Sequence, residues 1–103
     1  MKTPFERIEG FLISSVSRSF DEICFLFSNS AILIVYNSWT LSGAESLDFL
    51  IGKDICHVKI EECNFSIYFE PDIVFGVDVS DDGYRGPEAM CLYFSKETIF
   101  VWN

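Results

Sequence analysis

The chain carries the same pattern twice, and that duplication limits its fold more than any other feature. Gly10, Ile13, Val16, Ile23, Phe25, Phe27 and Ile32 recur as Gly52, Ile55, Val58, Phe65, Ile67, Phe69 and Val74, at a constant offset of 42. Each copy holds a glycine, an apolar stretch, a polar turn, alternating large apolar residues, a second polar turn and a further apolar run. Alternation with period two marks strands, so each copy, 10–36 and 52–78, predicts a three-strand antiparallel meander. A closing hairpin over 88–94 and 98–102 follows. The expected fold class is mainly β (α+β), one domain spanning 1–103, with about eight strands and one short helix.

The strands are not alike. In the first copy Cys24 and Leu26 interleave with Ile23, Phe25 and Phe27, and the run Ala31-Ile32-Leu33-Ile34-Val35-Tyr36 follows the turn at Ser28-Asn29-Ser30. Both sides of that hairpin are apolar, which predicts strands covered twice. The second copy instead sets Phe65, Ile67 and Phe69 against Asn64, Ser66, Tyr68 and Glu70, a strand with one wet side. Pro4 suits the first position of a short helical turn near the N-terminus. Between the copies, Leu47, Leu50 and Ile51 recur at three- and four-residue spacing and predict a short amphipathic helix ending at Gly52.

Half the residues are hydrophobic and eleven are Phe, which excludes disorder. No stretch has the roughly 18 apolar residues of a membrane span, and the N-terminus lacks the apolar core of a secretory signal, so a cytoplasmic location is expected. Three of the four cysteines, Cys24, Cys56 and Cys91, fall in apolar strand-like runs and are expected as reduced, packed thiols. The net charge is −9, with three basic against six acidic residues in 1–52 and four against ten in 53–103. Phosphate binding needs clustered Lys and Arg, so nucleic acid and anionic membrane are excluded as partners, and a basic protein is the complement.

Turns of a meander alternate between its two ends. That parity sends Asp21, Glu22, Glu61, Glu62, Asp78, Asp81 and Asp82 to one end, together with Trp39, Tyr84 and Arg85. Aromatic residues and Arg are enriched where protein interfaces hold tightest. These ten residues form the candidate partner-binding site. A plain solvated loop face is the competing reading. Calcium is a further one, since Asp78-Val79-Ser80-Asp81-Asp82-Gly83 is rich in oxygen donors, but the ligand periodicity and distal Glu of a calcium loop are missing. No metal, cofactor or small-molecule substrate is therefore assigned.

Catalytic constellations fail one by one. Cys56 and the single His, His57, are neighbours on a strand and point to opposite sides, so they cannot act as nucleophile and base. Cys56 and Cys63 have a spacing that no common zinc site uses. Gly83 and Gly86 flank Tyr84-Arg85 without the Lys and helix start of a phosphate loop. Paired carboxylates for acid–base work stay open, but nothing marks two of them out. The chain reads as a non-enzyme.

Leu50-Ile51-Gly52 through Phe69, then Gly86-Pro87-Glu88-Ala89-Met90-Cys91-Leu92-Tyr93-Phe94 into Ile99-Phe100-Val101-Trp102, resembles the small bacterial immunity proteins. These are cytoplasmic antidotes encoded beside polymorphic toxins, including those of contact-dependent growth inhibition. The shared features are a Gly-led strand, an alternating Phe strand, a Gly-Pro-Glu turn and a closing hairpin ending in Trp. The resemblance implies inhibition by binding: a cognate toxin domain, often a nuclease with a basic groove, blocked at its cleft. The second reading is a non-enzymatic β-rich scaffold or regulatory module acting as a homo-oligomer, which the two-sided first hairpin and the apolar last strand favour.

Overall fold

Alternation leaves each strand with one side of large apolar groups, and folding buries those sides against each other. The structure, a computed structural model, describes residues 4–19, 22–79, 89–94 and 99–102. Nine strands occur among them: β1 Ile13–Arg18, β2 Ile23–Phe27, β3 Ile32–Val35, β4 Trp39–Ser42, β5 His57–Ile60, β6 Asn64–Phe69, β7 Ile73–Asp78, β8 Met90–Tyr93 and β9 Ile99–Trp102. They make two antiparallel sheets, β1-β2-β3-β8-β9 and β4-β7-β6-β5. The protein is mainly β, as expected.

One core lies between the sheets. Phe25 and Phe27 meet it from β2, Leu33 and Val35 from β3, and Phe65, Ile67, Phe75 and Val77 from the opposite sheet. Phe25 and Phe75 touch edge to face across the gap, with ring centroids 5.0 Å apart and planes at 78°. Phe5 closes one side, its ring 5.9 Å from Phe65 and 5.2 Å from Trp102. Such ring pairs add about 0.5–1.5 kcal/mol each beyond burial.

The two halves repeat in space at the offset seen in the sequence. Gly10 N–H donates to the Ile55 carbonyl (2.7 Å) and Gly52 N–H to the Ile13 carbonyl (2.8 Å). Ile55 N–H donates to Phe11 and Ile13 N–H to Lys53, the same bond 42 residues apart. At the centre Leu12 bridges its own counterpart, Asp54. This is a local two-fold, and it links the start of β1 to the segment that leads into β5. Both glycines have left-handed backbone, φ +89 and +86, where a side chain is strained.

After three strands each copy sends its next strand to the other sheet. β4 leaves β3 and pairs with β7, Trp39 opposite Val77, while β8 follows β7 and pairs with β3, Met90 opposite Val35. β4 and β8 are thus counterparts, although three residues separate Val35 from Trp39 and twelve separate Val77 from Met90. Asn37, 3% exposed, holds the first crossing: its Nδ2 donates to the Asp78 carbonyl at 2.8 Å and its N–H to Ala89 at 3.3 Å. Its Oδ1 is buried without a hydrogen-bond partner among the described residues.

Three expectations change. The segment 39–42 is a ninth strand, β4, whose partner is 38 residues away at Val77. The expected helix before Gly52 is a 3-10 turn, Leu47–Leu50, flanked by extended Ser46 and Ile51. Its buried residues, Leu47 and Leu50, are three apart and suit three residues per turn, whereas Ile51, at the helical position, is 45% exposed. A matching 3-10 turn, Pro4–Ile8, opens the chain. Finally, Cys56 is exposed rather than packed, as is Cys63, while Cys91 is buried and Cys24 half-buried.

Candidate functional site

Strand register decides which turns meet. Ile23, Val35 and Met90 line up at one end of the five-stranded sheet, and Asn64, Asp78 and Trp39 at one end of the four-stranded sheet. Asn37, bonded to both Ala89 and Asp78, joins the two ends. Glu22, Trp39, Glu61, Glu62 and Asp78 therefore share one end of the molecule. Asp21, Asp81, Asp82, Tyr84 and Arg85, the other half of the predicted set, lie outside the described residues.

Backbone bonds hold these turns. Ser19 N–H donates to Glu22 (3.0 Å), Glu61 N–H to Asn64 (2.8 Å), Val79 N–H to Cys63 (2.9 Å) and Asp78 N–H to Ser38 (2.9 Å). Lys59 sits 3.6 Å from the Glu61 carboxylate, but both side chains are more than half exposed, so this ion pair adds little. The Cys24 thiol is pushed up, first by burial and also by the Glu22 carboxylate, with the Ser17 side chain opposing. Glu22 thus acts electrostatically on the outer side of β2.

Trp39 is the aromatic anchor of this end. It stacks on Phe75 with centroids 5.7 Å apart and planes at 27°, and the Arg18 guanidinium lies 5.2 Å from the centre of its ring. Cation, indole and phenyl thus form a column from rim to core, worth about 0.5–1 kcal/mol for the exposed cation contact. Sequence reasoning passed over Arg18. No local signal marks it, because the contact exists only once β4 has crossed to the other sheet.

The opposite end is different in kind. A groove of about 320 Å³ is lined by Cys56, Tyr68, Glu70, Pro71 and Asp72, and the Glu70–Pro71 peptide is cis. Nearby, the Glu9 carboxylate accepts from Val58 N–H at 2.8 Å and lies 3.0 Å from Nδ1 of His57, clamping the first 3-10 turn to β5. His57 is 63% exposed at its side chain and tilts against the Tyr68 ring. Among the described residues, no group of three or more His, Cys, Asp or Glu is placed to hold a metal ion, and no helix is long and apolar enough to cross a membrane. Compared with protein families, curated proteins and solved structures, the chain matches none.

Proposed function

We propose that the chain is an antidote of the immunity-protein kind, a cytoplasmic non-enzyme that binds one cognate toxin domain and blocks its cleft. The observation behind this is that Glu22, Glu61, Glu62 and Asp78 lie at the same end of the sheets as the Arg18–Trp39–Phe75 column. Carboxylates presented as a group stand in for the phosphates of nucleic acid, so the fitting partner is a basic nuclease domain. Opposite charge accelerates encounter, and a partly buried Trp supplies contact that slows dissociation.

The test is a pull-down of the tagged protein with the product of the gene immediately upstream, in low and high salt. Nanomolar, one-to-one binding that abolishes a toxic activity and weakens with salt is the expected result, and charge reversal at Glu61 and Glu62 weakens it further. Tight binding indifferent to salt would remove the acidic end from the interface, and no binding at all would end the antidote reading.

A further inference from the structure

The repeat supplies an internal control for surface chemistry, because counterpart positions share one backbone geometry but differ in side chain. On the outside of the four-stranded sheet stand Ser66, Tyr68, Val74 and Gly76. Their counterparts on the five-stranded sheet are Cys24, Leu26, Ile32 and Ile34. β9 has no counterpart among the described residues, and it extends this apolar side with Ile99 and Val101. Leu26 is 37% exposed, Ile99 52% and Val101 46%, while Cys24, Ile32 and Ile34 are half-buried. The second cover that the sequence predicts for this hairpin is therefore incomplete among the described residues.

We infer that the outer side of the five-stranded sheet docks on the same side of a second copy, giving a two-fold dimer four sheets deep. Two quantities favour a second copy over other occupants. The first is area: six neighbouring apolar side chains, three of them 37–52% exposed, form one patch of the kind that makes up the apolar part of one side of a standard ~800 Å² interface.

The second is charge. Of the eleven acidic residues in the described segments, only Glu22 belongs to the strands or turns of this sheet, whose one described cation is Arg18. The remaining ten acids lie on the four-stranded sheet, its turns and the segments carrying the 3-10 turns. Among the described residues, the carboxylates that would draw a cationic partner lie on that side. Two copies meeting here hold their four-stranded sheets apart by three intersheet gaps of about 10 Å each. That distance exceeds the ~8 Å screening length at physiological salt several-fold, so the acidic residues described on those sheets barely oppose association. The contact is self-complementary, as a two-fold demands.

Sedimentation equilibrium from about 5 to 500 μM tests this, with mass read against 11.8 kDa for one chain. The wild-type protein is expected to reach twice that mass with a micromolar Kd that does not weaken between 0.1 and 1 M NaCl. Leu26→Glu with Ile99→Glu is expected to weaken the dimer at least ~30-fold, while Thr40→Glu on the four-stranded sheet leaves it unchanged. Circular dichroism melts establish that each variant is folded, and Ile99→Glu alone, at the most exposed position, serves if the pair is not. A wild-type monomer at every concentration, a variant that dimerises as tightly as wild type, or a Kd that rises ~10-fold with salt would overturn the inference. The acidic end plays no part, so the antidote reading stands or falls separately.

Discussion

Replacing Gly10 and Gly52 by Ala, one at a time, puts a number on the local two-fold. Both residues have positive φ, +89 and +86, and a Cβ added at either meets no atom within 4 Å. Crowding therefore contributes nothing, and backbone conformation sets the whole penalty. A left-handed conformation costs an L-residue about 1–2 kcal/mol, and the stiffer unfolded chain returns about 0.4–1 kcal/mol, leaving a net loss of about 0.5–1.5 kcal/mol. For a domain of this size that lowers Tm by roughly 3–10 °C. The counterpart positions should lose the same amount within about 0.5 kcal/mol, measured by urea denaturation followed by circular dichroism. D-Ala at position 52, introduced by chemical ligation, accepts positive φ and keeps the unfolded-state gain, so it should match or exceed the wild type. Losses differing by more than about 1 kcal/mol, or a D-Ala variant as weak as the L-Ala one, would refute the argument from shared geometry.

Two further outcomes follow from core and thiol. Phe75→Ala removes a fully buried ring that touches Phe25 and Trp39, so a loss of about 3–5 kcal/mol in urea denaturation is expected; under about 1.5 kcal/mol would mean that the sheets do not pack through this ring. The Cys24 thiol is held protonated in the folded chain by burial, so its contribution to stability is complete below the pKa of an unfolded thiol and is lost as pH rises through the raised folded value. Tm should therefore fall more steeply above pH ~8.5 in the wild type than in Cys24→Ala, and equal slopes would show that the thiol is not linked to folding.

What could be read from the sequence was whatever is local or periodic. Phe65, Ile67 and Phe69 announce a strand with one dry side, and the offset of 42 pairs Gly10 with Gly52. Meander parity also sent Glu22, Trp39, Glu61, Glu62 and Asp78 to one end, where the register puts them. Exchange between the sheets was invisible, because four residues, Trp39-Thr40-Leu41-Ser42, carry too little pattern to distinguish a strand from a linker, and their partner is remote in sequence. The column of Arg18 on Trp39 was hidden for the same reason. Leu47 and Leu50 satisfy a 3-10 turn as well as an α-helix, and only the exposed Ile51 decides between them.

Each half lends one strand to the other, and this bears on how the chain reaches its native state and on how it could have arisen. Val35 and Met90 are 55 residues apart along the chain, so the five-stranded sheet cannot close until nearly the whole polypeptide has been gathered in. Closing such long loops early is entropically unfavourable, which favours slow, all-or-none folding over stepwise growth from either end. A single copy on its own has three strands in one sheet and a fourth with nowhere to go. An ancestor carrying one copy would have had to exchange that strand with a second molecule, and fusion of two copies would place the same exchange within one chain.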